Sequence, residues 1–393
     1  MAKLTVDRLD AKDKKVLVRV DFNVPLDGDR ITDDTRIRAG LPTIQHLVKQ
    51  GARVILASHL GRPKGKPEPK YSLAPVAKRL GELLGKPVAF CSTVIDNSAK
   101  DAVGRMKGGD VLLLENVRFH AEEEKNDPAF AKSLASLADL YVSDAFGTVH
   151  RAHASTAGVA QFFPKAAAGF LIAKELEFLG MALNAPKSPY VAIVGGAKVG
   201  DKITILRSLL DRADTILVGG GMAYTFLKTM GHTIGTSLLD EPNLGTAEDL
   251  LKEAKKRGKQ ILLPTDHKVA AKFSADSKAE LCAIDIADGM MGLDIGPKTI
   301  ARYTQEIGKA NMIVWNGPMG VFEFPAFQEG TFAVAKAVAE SKGVTIVGGG
   351  DSVAAANQAG YADRISHIST GGGASLEFLE GKNLPGIAVL SEA

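Results

Sequence analysis

The chain has 393 residues, of which 45% are apolar and 24% are charged. This composition is typical of folded globular proteins and excludes the disordered, collagen-like and disulfide-rich classes, and the length favours two domains over one. Lysine and arginine exceed aspartate and glutamate by only three, 48 against 45. The net charge therefore gives no indication of nucleic acid or an anionic membrane as a partner.

Cysteine usage and hydropathy indicate the compartment. Cys91 and Cys282 are widely separated and form no CxxC motif, so neither a disulfide framework nor a cysteine metal site is predicted. The first residues are charged throughout, and no apolar run approaches the roughly 20 residues needed to span a bilayer. We therefore expect a cytoplasmic protein without a membrane partner.

Four apolar runs in the first half are each followed by a turn and then by helical periodicity. The runs are KKVLVRVDFNVP, ARVILASHLGRP, GDVLLLENVRFH and LYVSDAFGTVHR. They are continuously apolar rather than alternating, which is typical of strands covered on both faces. The helical stretches Ile37–Gln50 and Leu73–Leu84 are long enough for crossovers between parallel strands.

Six further runs in the second half predict a second parallel sheet: YVAIVGGAK, TILVGGGM, QILLPTDHK, MIVWNGPMG, VTIVGGGDS and HISTGGGAS. Between the halves, Phe170–Asn184 has helical periodicity, and the prolines of APKSP end that helix. The predicted fold is α/β, with two doubly wound, Rossmann-like parallel-sheet domains joined by a hinge helix. The predicted divisions are residues 1–172, 173–188, 189–380 and 381–393, the last containing another strand-like run.

Glycine clusters follow four strands of the second half, at the carboxyl ends where open α/β sheets bind ligands. They are Gly195–Gly196, Gly219–Gly221, Gly348–Gly350 and Gly371–Gly373. Glycine lets a ligand approach the backbone, and a helix N-terminus offers free N–H groups to phosphate. Tight turns would explain any one cluster, but four in one sheet favour phosphate binding.

Neither standard nucleotide fingerprint is present. In GGAKVGDK, Asp201 stands where a Walker A motif requires lysine, and no GxGxxG follows the first strand. These absences disfavour a P-loop NTPase and a nicotinamide-dependent oxidoreductase. A non-catalytic two-domain binding protein is a further alternative.

Charged residues near the glycine clusters suggest a bound polyphosphate. Lys198 and Lys202 are predicted to share one face at the start of a helix, where the helix dipole disfavours cations. Asp351 follows a glycine triplet and could either cap a helix or hold Mg²⁺. The segment NGPMGVFE, which ends at Glu323, suits an adenosine with its ribose near that carboxylate.

In the first half, the strand ends carry mostly basic and amide side chains. They are Asp21, Asn23, His59, Arg62, Arg118, His120, His150, Arg151 and His153, and Arg36 opens a crossover helix. Parallel strands would bring these positions to one edge, where forked guanidinium groups suit a small phosphorylated carboxylate. The acidic run Glu122–Glu124 is predicted to be a solvated loop.

Ten motifs together resemble the phosphoglycerate kinase family, in its bacterial form, in the expected order over nearly the whole chain. They are VRVDFNVP, SHLGRPKG, LENVRFH, DAFGTVHRAHAST, GGAKVGDKI, LPTDH, DIGPKT, WNGPMGVFE, GGGDSVAA and HISTGGGASLEFLEG. Gly200 stands where the family often has serine. The resemblance implies reversible Mg²⁺-dependent transfer of a phosphoryl group between 1,3-bisphosphoglycerate and ADP, giving 3-phosphoglycerate and ATP in glycolysis.

The resemblance also implies roles for individual residues. The N-terminal domain would bind 3-phosphoglycerate through Asp21, Asn23, Arg36, His59, Arg62, Arg118 and Arg151. The C-terminal domain would bind Mg-ADP or Mg-ATP through Gly196, Lys202, Gly220, Gly292, Asn316, Glu323, Gly349, Gly350, Asp351 and Ser352, with Asp351 on the metal. The catalytic residues would be Arg36, Lys198, Lys202 and Gly372. Residues 381–393 would return to the first domain, and we expect a monomer that transfers the group in line after domain closure.

Overall fold

The computed structural model describes residues 2–393. It divides into two compact units, one comprising the chain up to Glu177 together with Asn383–Ala393, the other comprising Phe178–Lys382. The division falls within a helix at Phe170–Asn184, which has the bounds predicted from the sequence. Each unit is built on a six-stranded parallel sheet with helices on both sides, so the predicted fold class is confirmed.

The strands of the first unit include all four of the predicted runs. They are β1 Lys15–Val20, β2 Leu26–Asp27, β3 Arg30–Ile31, β4 Arg53–Ala57, β5 Ala89–Cys91, β6 Val111–Leu114, β7 Leu140–Asp144 and β8 Ala166–Ala168. The sheet order is β5-β6-β4-β1-β7-β8, and β2 pairs with β3 in a separate antiparallel hairpin. The predicted strands are the central ones, since burial on both faces requires continuous apolar residues.

Six α-helices within residues 2–184 lie in or lead out of the first unit. They are α1 Thr35–Lys49, α2 Ala74–Leu84, α3 Asn97–Gly104, α4 Ala121–Glu124, α5 Pro128–Ala135 and α6 Phe170–Asn184. The apolar stripe of α1 buries Ile37, Ile44 and Leu47 against the sheet, as its periodicity predicts. These crossovers cover the sheet faces and leave the carboxyl ends of the strands accessible for binding.

The second unit contains nine strands among the described residues. They are β9 Tyr190–Val194, β10 Thr215–Val218, β11 Gln260–Leu262, β12 Asp266–Ala270, β13 Glu280–Ala283, β14 Met291–Ile295, β15 Met312–Asn316, β16 Val344–Val347 and β17 His367–Ile368. All six predicted strands form the parallel sheet, in the order β11-β10-β9-β15-β16-β17. The sequence did not predict the antiparallel sheet β13-β12-β14, because its strands are partly exposed and carry no continuous apolar run.

The helices that follow α6 are α7 Ile203–Leu210, α8 Met222–Thr229, α9 Leu244–Lys256, α10 Pro297–Lys309, α11 Glu329–Glu340, α12 Gly350–Gln358, α13 Gly373–Leu379 and α14 Pro385–Ala388. The core of the second unit centres on the buried Trp315 and Tyr303. The Tyr303 hydroxyl donates to the carbonyls of Val218 at 2.7 Å and Leu262 at 2.9 Å, which fixes α10 against the ends of two strands. No helix within residues 2–393 is long and apolar enough to cross a membrane.

The strand predicted in the tail is wrong, because this segment forms the short helix α14. Leu384, Ile387 and Leu390 recur every third residue, a helical spacing, and all three are buried in the first unit. The segment is also held by backbone hydrogen bonds, from Leu4 N to Ser391 O at 2.8 Å and from Ser391 N to Ala166 O at 2.9 Å. Residues 383–393 thus complete the core of the first unit.

Replacing Leu390 by alanine should destabilise the first unit by about 2 to 4 kcal/mol, since it removes a buried side chain and leaves a cavity. The neighbouring Val389→Ala is a matched control, because Val389 is 37% exposed against 3% for Leu390. Urea titration, with hydrogen exchange at β7 and β8 as the probe of the first unit, measures the difference in the free energy of unfolding. Equal stabilities for the two variants would contradict the packing described for the tail.

Candidate active site

Five basic residues gather at the carboxyl edge of the first sheet, and we call Arg19, Arg36, His59, Arg118 and Arg151 the basic cluster. Burial lowers the pKa of His59 well below its usual range, and the positive charges of the four arginines lower it further. All four guanidinium groups therefore act electrostatically on one imidazole, and Arg19 also contacts it, with Nη2 3.2 Å from Nδ1. The edge forms because β6, β4, β1 and β7 lie side by side and parallel.

Hydrogen bonds fix several predicted side chains at this edge. Arg36 Nη1 donates to Asp21 Oδ2 at 2.7 Å. The amide of Gly61 donates to Asn23 Oδ1 at 2.8 Å, and the carbonyl of Gly61 accepts from Arg118 Nη1 at 3.0 Å. One residue, Gly61, therefore connects the segments that follow β1, β4 and β6.

Arg118 differs from an ordinary surface arginine. Its side chain is only 4% exposed, and in the described part of the chain its buried Nη2 makes no hydrogen bond. Burial lowers the pKa of Arg118, although the Glu124 carboxylate lies 3.3 Å from Nε and opposes this shift. A buried guanidinium with an unused N–H is suited to receive an anionic ligand.

Arg62 and Arg151, which were also predicted at this edge, are exposed, whereas His120 and His150 are partly buried. Arg62 directly follows Gly61 in the chain, and Arg151 Nε donates to His150 Nε2 at 3.1 Å. The structure thus brings together Asp21, Asn23, Arg36, His59, Arg118 and Arg151, and Arg62 directly follows the Gly61 to which Asn23 and Arg118 bind.

One contributor to this edge was missed by the sequence reasoning: Arg19 lies within β1 and is 1% exposed. His153, which was predicted at this edge, is buried, and burial, reinforced by Arg118 and Arg19, lowers its pKa to about 4. A usable signal existed for Arg19, because a charged residue inside a continuously apolar strand needs a buried partner or a function.

The second unit contains a cavity of about 560 Å³ at the carboxyl edge of its sheet. Five predicted nucleotide-binding residues line it: Gly196, Gly220, Gly292, Glu323 and Asp351. The sequence reasoning missed its apolar walls, which include Tyr224, Leu238, Phe273, Met291, Leu293 and Val321. Leu238 and Phe273 are 58% and 63% exposed, so these walls present apolar surface to a ligand.

The glycines at this edge fall into two groups. A Cβ added at Gly195 would lie 2.0 Å from the carbonyl oxygen of Pro318, and one at Gly317 would lie 2.1 Å from that of Gly195. Close approach between loops therefore explains these two glycines. A Cβ at Gly350 or Gly373 would meet no atom within 4 Å. Packing therefore does not require glycine at the starts of α12 and α13. This absence of a packing reason favours the interpretation that a ligand approaches the backbone at both helix starts.

The amino group of Lys202 lies at the end of β15. Its Nζ donates to Asn316 Oδ1, and Asn316 Nδ2 donates to the carbonyl of Gly348 at 2.8 Å. Burial lowers the pKa of Lys202, while the negative charge of Asp351 opposes this shift. The buried Ser352 accepts a hydrogen bond from Gly317 N and joins α12 to the loop after β15.

The prediction that Lys198 and Lys202 share a helix face is wrong. Helix α7 begins only at Ile203, after a 3₁₀ turn at Gly200–Lys202, so Lys202 is the N-cap and Lys198 precedes the helix. Lys198 is exposed, and the turn is held by Gly200 N donating to Asp240 Oδ2 at 2.7 Å. The unfavourable dipole at a helix start therefore acts on Lys202 rather than on both lysines.

The other predicted positions lie at helix starts. Gly349 is the N-cap of α12 and Gly372 that of α13, both with positive φ, and Asp351 is exposed in the first turn of α12. Among residues 2–393, no three His, Cys, Asp or Glu side chains form a metal-binding group. A single carboxylate at the cavity edge fits Mg²⁺ that would arrive on nucleotide phosphates rather than in an all-protein site.

A family model described as phosphoglycerate kinase matches residues 6–382. The chain belongs to the phosphoglycerate kinase family. The phosphoglycerate kinase of Moorella thermoacetica is 57% identical over 393 residues, covering 100% of both chains. That of Clostridium tetani is 55% identical and covers 99% of this chain and 98% of its own. The resemblance seen in the sequence is thus confirmed, and the protein is a phosphotransferase that uses ADP and ATP.

Solved structures agree with this assignment. The phosphoglycerate kinase of Coxiella burnetii is similar with a TM-score of 0.91 and 45% identity, over 98% of each chain. That of Pyrococcus horikoshii has a TM-score of 0.85 and 34% identity, also over 98% of each chain. An oxidoreductase on a doubly wound fold receives no support from these comparisons.

Replacing Gly292 by alanine should weaken ADP binding about tenfold or more, since the loss of a few contacts in a ligand pocket has this effect. The added Cβ would lie 2.0 Å from the Tyr224 hydroxyl, so the tyrosine must move and change the cavity wall. Gly245→Ala in α9 is the control, because a Cβ there would meet nothing within 4 Å. Calorimetric titration with ADP measures both variants, and an unchanged Kd for Gly292→Ala would argue against this cavity as the nucleotide site.

Proposed function

We propose that this enzyme catalyses the reversible, Mg²⁺-dependent transfer of a phosphoryl group between 1,3-bisphosphoglycerate and ADP, in glycolysis. The observation that carries this proposal is the pairing of two different sites in one chain. One unit has a basic cluster around a neutral histidine, and the other has an apolar cavity edged by glycines. Membership of the phosphoglycerate kinase family supports the same reaction.

The basic cluster is proposed to bind 3-phosphoglycerate, which carries a phosphate and a carboxylate. Guanidinium groups match both anions, and the unused Nη2 of Arg118 is one such donor. Asp21 and Asn23 lie at the same edge and would bind the substrate hydroxyl. The full proposed set is Asp21, Asn23, Arg36, His59, Arg62, Arg118 and Arg151.

The cavity is proposed to bind the nucleotide. Its apolar walls suit a purine base, and Glu323 lies on the lining where it could accept hydrogen bonds from ribose hydroxyls. The phosphates would lie near Lys202 and the helix starts at Gly350 and Gly373. Asp351 would hold Mg²⁺, which neutralises phosphate charge when bound with the nucleotide.

The transfer requires no protein nucleophile and no strong base, because the substrate carboxylate is itself the attacking or leaving group. The protein must align the reactants and neutralise charge. We assign this task to Arg36, Lys198, Lys202 and the backbone at Gly372. Arg36 is oriented for it by its 2.7 Å ion pair with Asp21.

We further propose that the two units close during each turnover, because the two substrates bind to different units. Closure would exclude water, which would otherwise hydrolyse the acyl phosphate. The proposed hinge comprises residues 173–188 and 381–393, between the domains 1–172 and 189–380. We propose a cytoplasmic monomer whose partners are its small-molecule substrates.

Purified enzyme with ATP, 3-phosphoglycerate and Mg²⁺ should consume ATP in an assay coupled to reduction of the acyl phosphate. Chelation with EDTA should abolish this turnover, and excess Mg²⁺ should restore it, because the metal offsets phosphate charge. The absence of turnover with Mg²⁺ present would overturn the proposed reaction. Equal rates with and without chelator would overturn the metal requirement alone.

Lys198→Ala should lower kcat about 100-fold or more while changing the Kd for ADP less than about threefold, because a charge-stabilising donor acts mainly in the transition state. Lys252→Ala is the control, since Lys252 is an exposed lysine on α9 paired with Glu248. Steady-state kinetics and calorimetry separate the two effects. An unchanged kcat would remove Lys198 from the mechanism.

A further inference from the structure

The acidic run Glu122–Glu124 is not the solvated loop predicted from the sequence. It forms helix α4, in which Glu122 and Glu124 are exposed but Glu123 is fully buried at 0%. Burial raises the pKa of Glu123, while the charges of Arg19 and Arg118 and two hydrogen bonds from Ser155 oppose the rise. Glu123, the one buried carboxylate of this run, therefore lies on the side of the basic cluster.

A continuous chain of hydrogen bonds connects this carboxylate to His59. Glu123 Oε1 accepts from Ser155 Oγ at 2.6 Å, and Oε2 accepts from Ser155 N at 2.8 Å. The same hydroxyl oxygen accepts from Arg19 Nε at 2.8 Å, and Arg19 Nη2 lies 3.2 Å from His59 Nδ1. All four side chains are buried.

The direction of these bonds determines the protonation of His59. A guanidinium group can only donate, so Nδ1 of His59 must accept the hydrogen bond from Arg19. Burial and neighbouring arginines hold the pKa of His59 well below its usual range, so the ring is neutral at pH 7. The single ring proton is therefore on Nε2, which becomes an N–H donor.

Stability alone does not explain such a buried polar chain. Replacing buried ionic groups by apolar residues of similar volume is often neutral or stabilising. These hydrogen bonds do connect three segments of the substrate edge: α4, which follows Arg118; the helical turn that contains Ser155, which follows Arg151; and the segment of His59, which follows β4. This arrangement is suited to fixing the orientation of the Arg19 and His59 side chains.

We propose that Glu123 is a positioning residue for the acidic substrate. Through Ser155 and Arg19 it holds His59 as a neutral Nε2–H donor and fixes the orientation of Arg19. Glu123 does not touch the substrate itself. This inference rests on the proposed function, in which the basic cluster binds 3-phosphoglycerate.

The first test compares Glu123→Gln with Glu122→Gln, the same substitution at the exposed neighbouring position. Glu123→Gln keeps the size of the side chain but removes its charge and one hydrogen-bond acceptor. It should raise the KM for 3-phosphoglycerate about tenfold, because the site of this substrate is misaligned. The KM for ATP should stay within about twofold of the wild-type value, because the nucleotide site is unaffected. Equal kinetic constants for the two variants, or equal changes in both KM values, would overturn the inference.

The second test needs no turnover. Nitrogen-15 NMR of histidine-labelled enzyme, with the His59 signals identified from their loss in His59→Asn, reports which ring nitrogen carries the proton. Wild type should show the Nε2–H tautomer of His59. Ser155→Ala removes the hydroxyl that joins Glu123 to Arg19, and it should show a mixture of the Nε2–H and Nδ1–H tautomers. An Nδ1–H tautomer in wild type, or an unchanged ring in Ser155→Ala, would overturn the inference.

The two tests also separate this inference from the proposed function. Wild-type enzyme that does not turn over 3-phosphoglycerate would refute the proposed reaction, whatever the tautomer of His59. Normal wild-type turnover with an unaffected His59 in Ser155→Ala would refute the role of Glu123 alone. Should Glu123→Gln fail to fold, the KM values of Ser155→Ala decide the kinetic question, with the same expected direction.

Discussion

The parallel hydrogen-bonded register of the two sheets is the constraint on which the rest of the structure depends. In the first unit β1 pairs with β4 and with β7, so Arg19 is level with Ala57 on one side and with Ser143 on the other. Residues that follow these strands must then emerge together at one edge. Side chains separated by more than a hundred positions become neighbours without any local sequence signal linking them.

Placing several like charges close together at the edge of a sheet costs free energy, and the two units limit this cost in different ways. The first unit buries Arg19 and Arg118 beside carboxylates and keeps His59 neutral, which leaves N–H groups unused on Arg118. The second unit combines backbone amides at helix starts with the partly buried Lys202, while Lys198 and Asp351 are exposed. The first arrangement suits a small dianion, and the second suits a longer ligand with an apolar end.

The fold could be predicted from the sequence because burial on both faces leaves long apolar runs, and all ten runs that are followed by a turn proved to be strands of a parallel sheet. The run in the tail did not, since it forms α14. Short or partly exposed strands, such as those of the β13-β12-β14 sheet, left no comparable pattern. The edge residues of the site followed from their positions after strands. The cavity walls did not, since Tyr224, Phe273 and Met291 come from separate segments and meet only in three dimensions. Glu123 was misjudged because its exposed neighbours give the whole run the composition of a solvated surface.

The way the tail packs has a consequence for biosynthesis. The side chains of Leu384, Ile387 and Leu390 belong to the core of the first unit, yet they follow the whole second unit in the chain. The strands of the first sheet are therefore synthesised, and leave the ribosome exit tunnel, long before the residues that complete the core of this unit. During that interval the nascent first unit exposes apolar surface that residues 383–393 later cover, so its core is complete only after those residues have been synthesised.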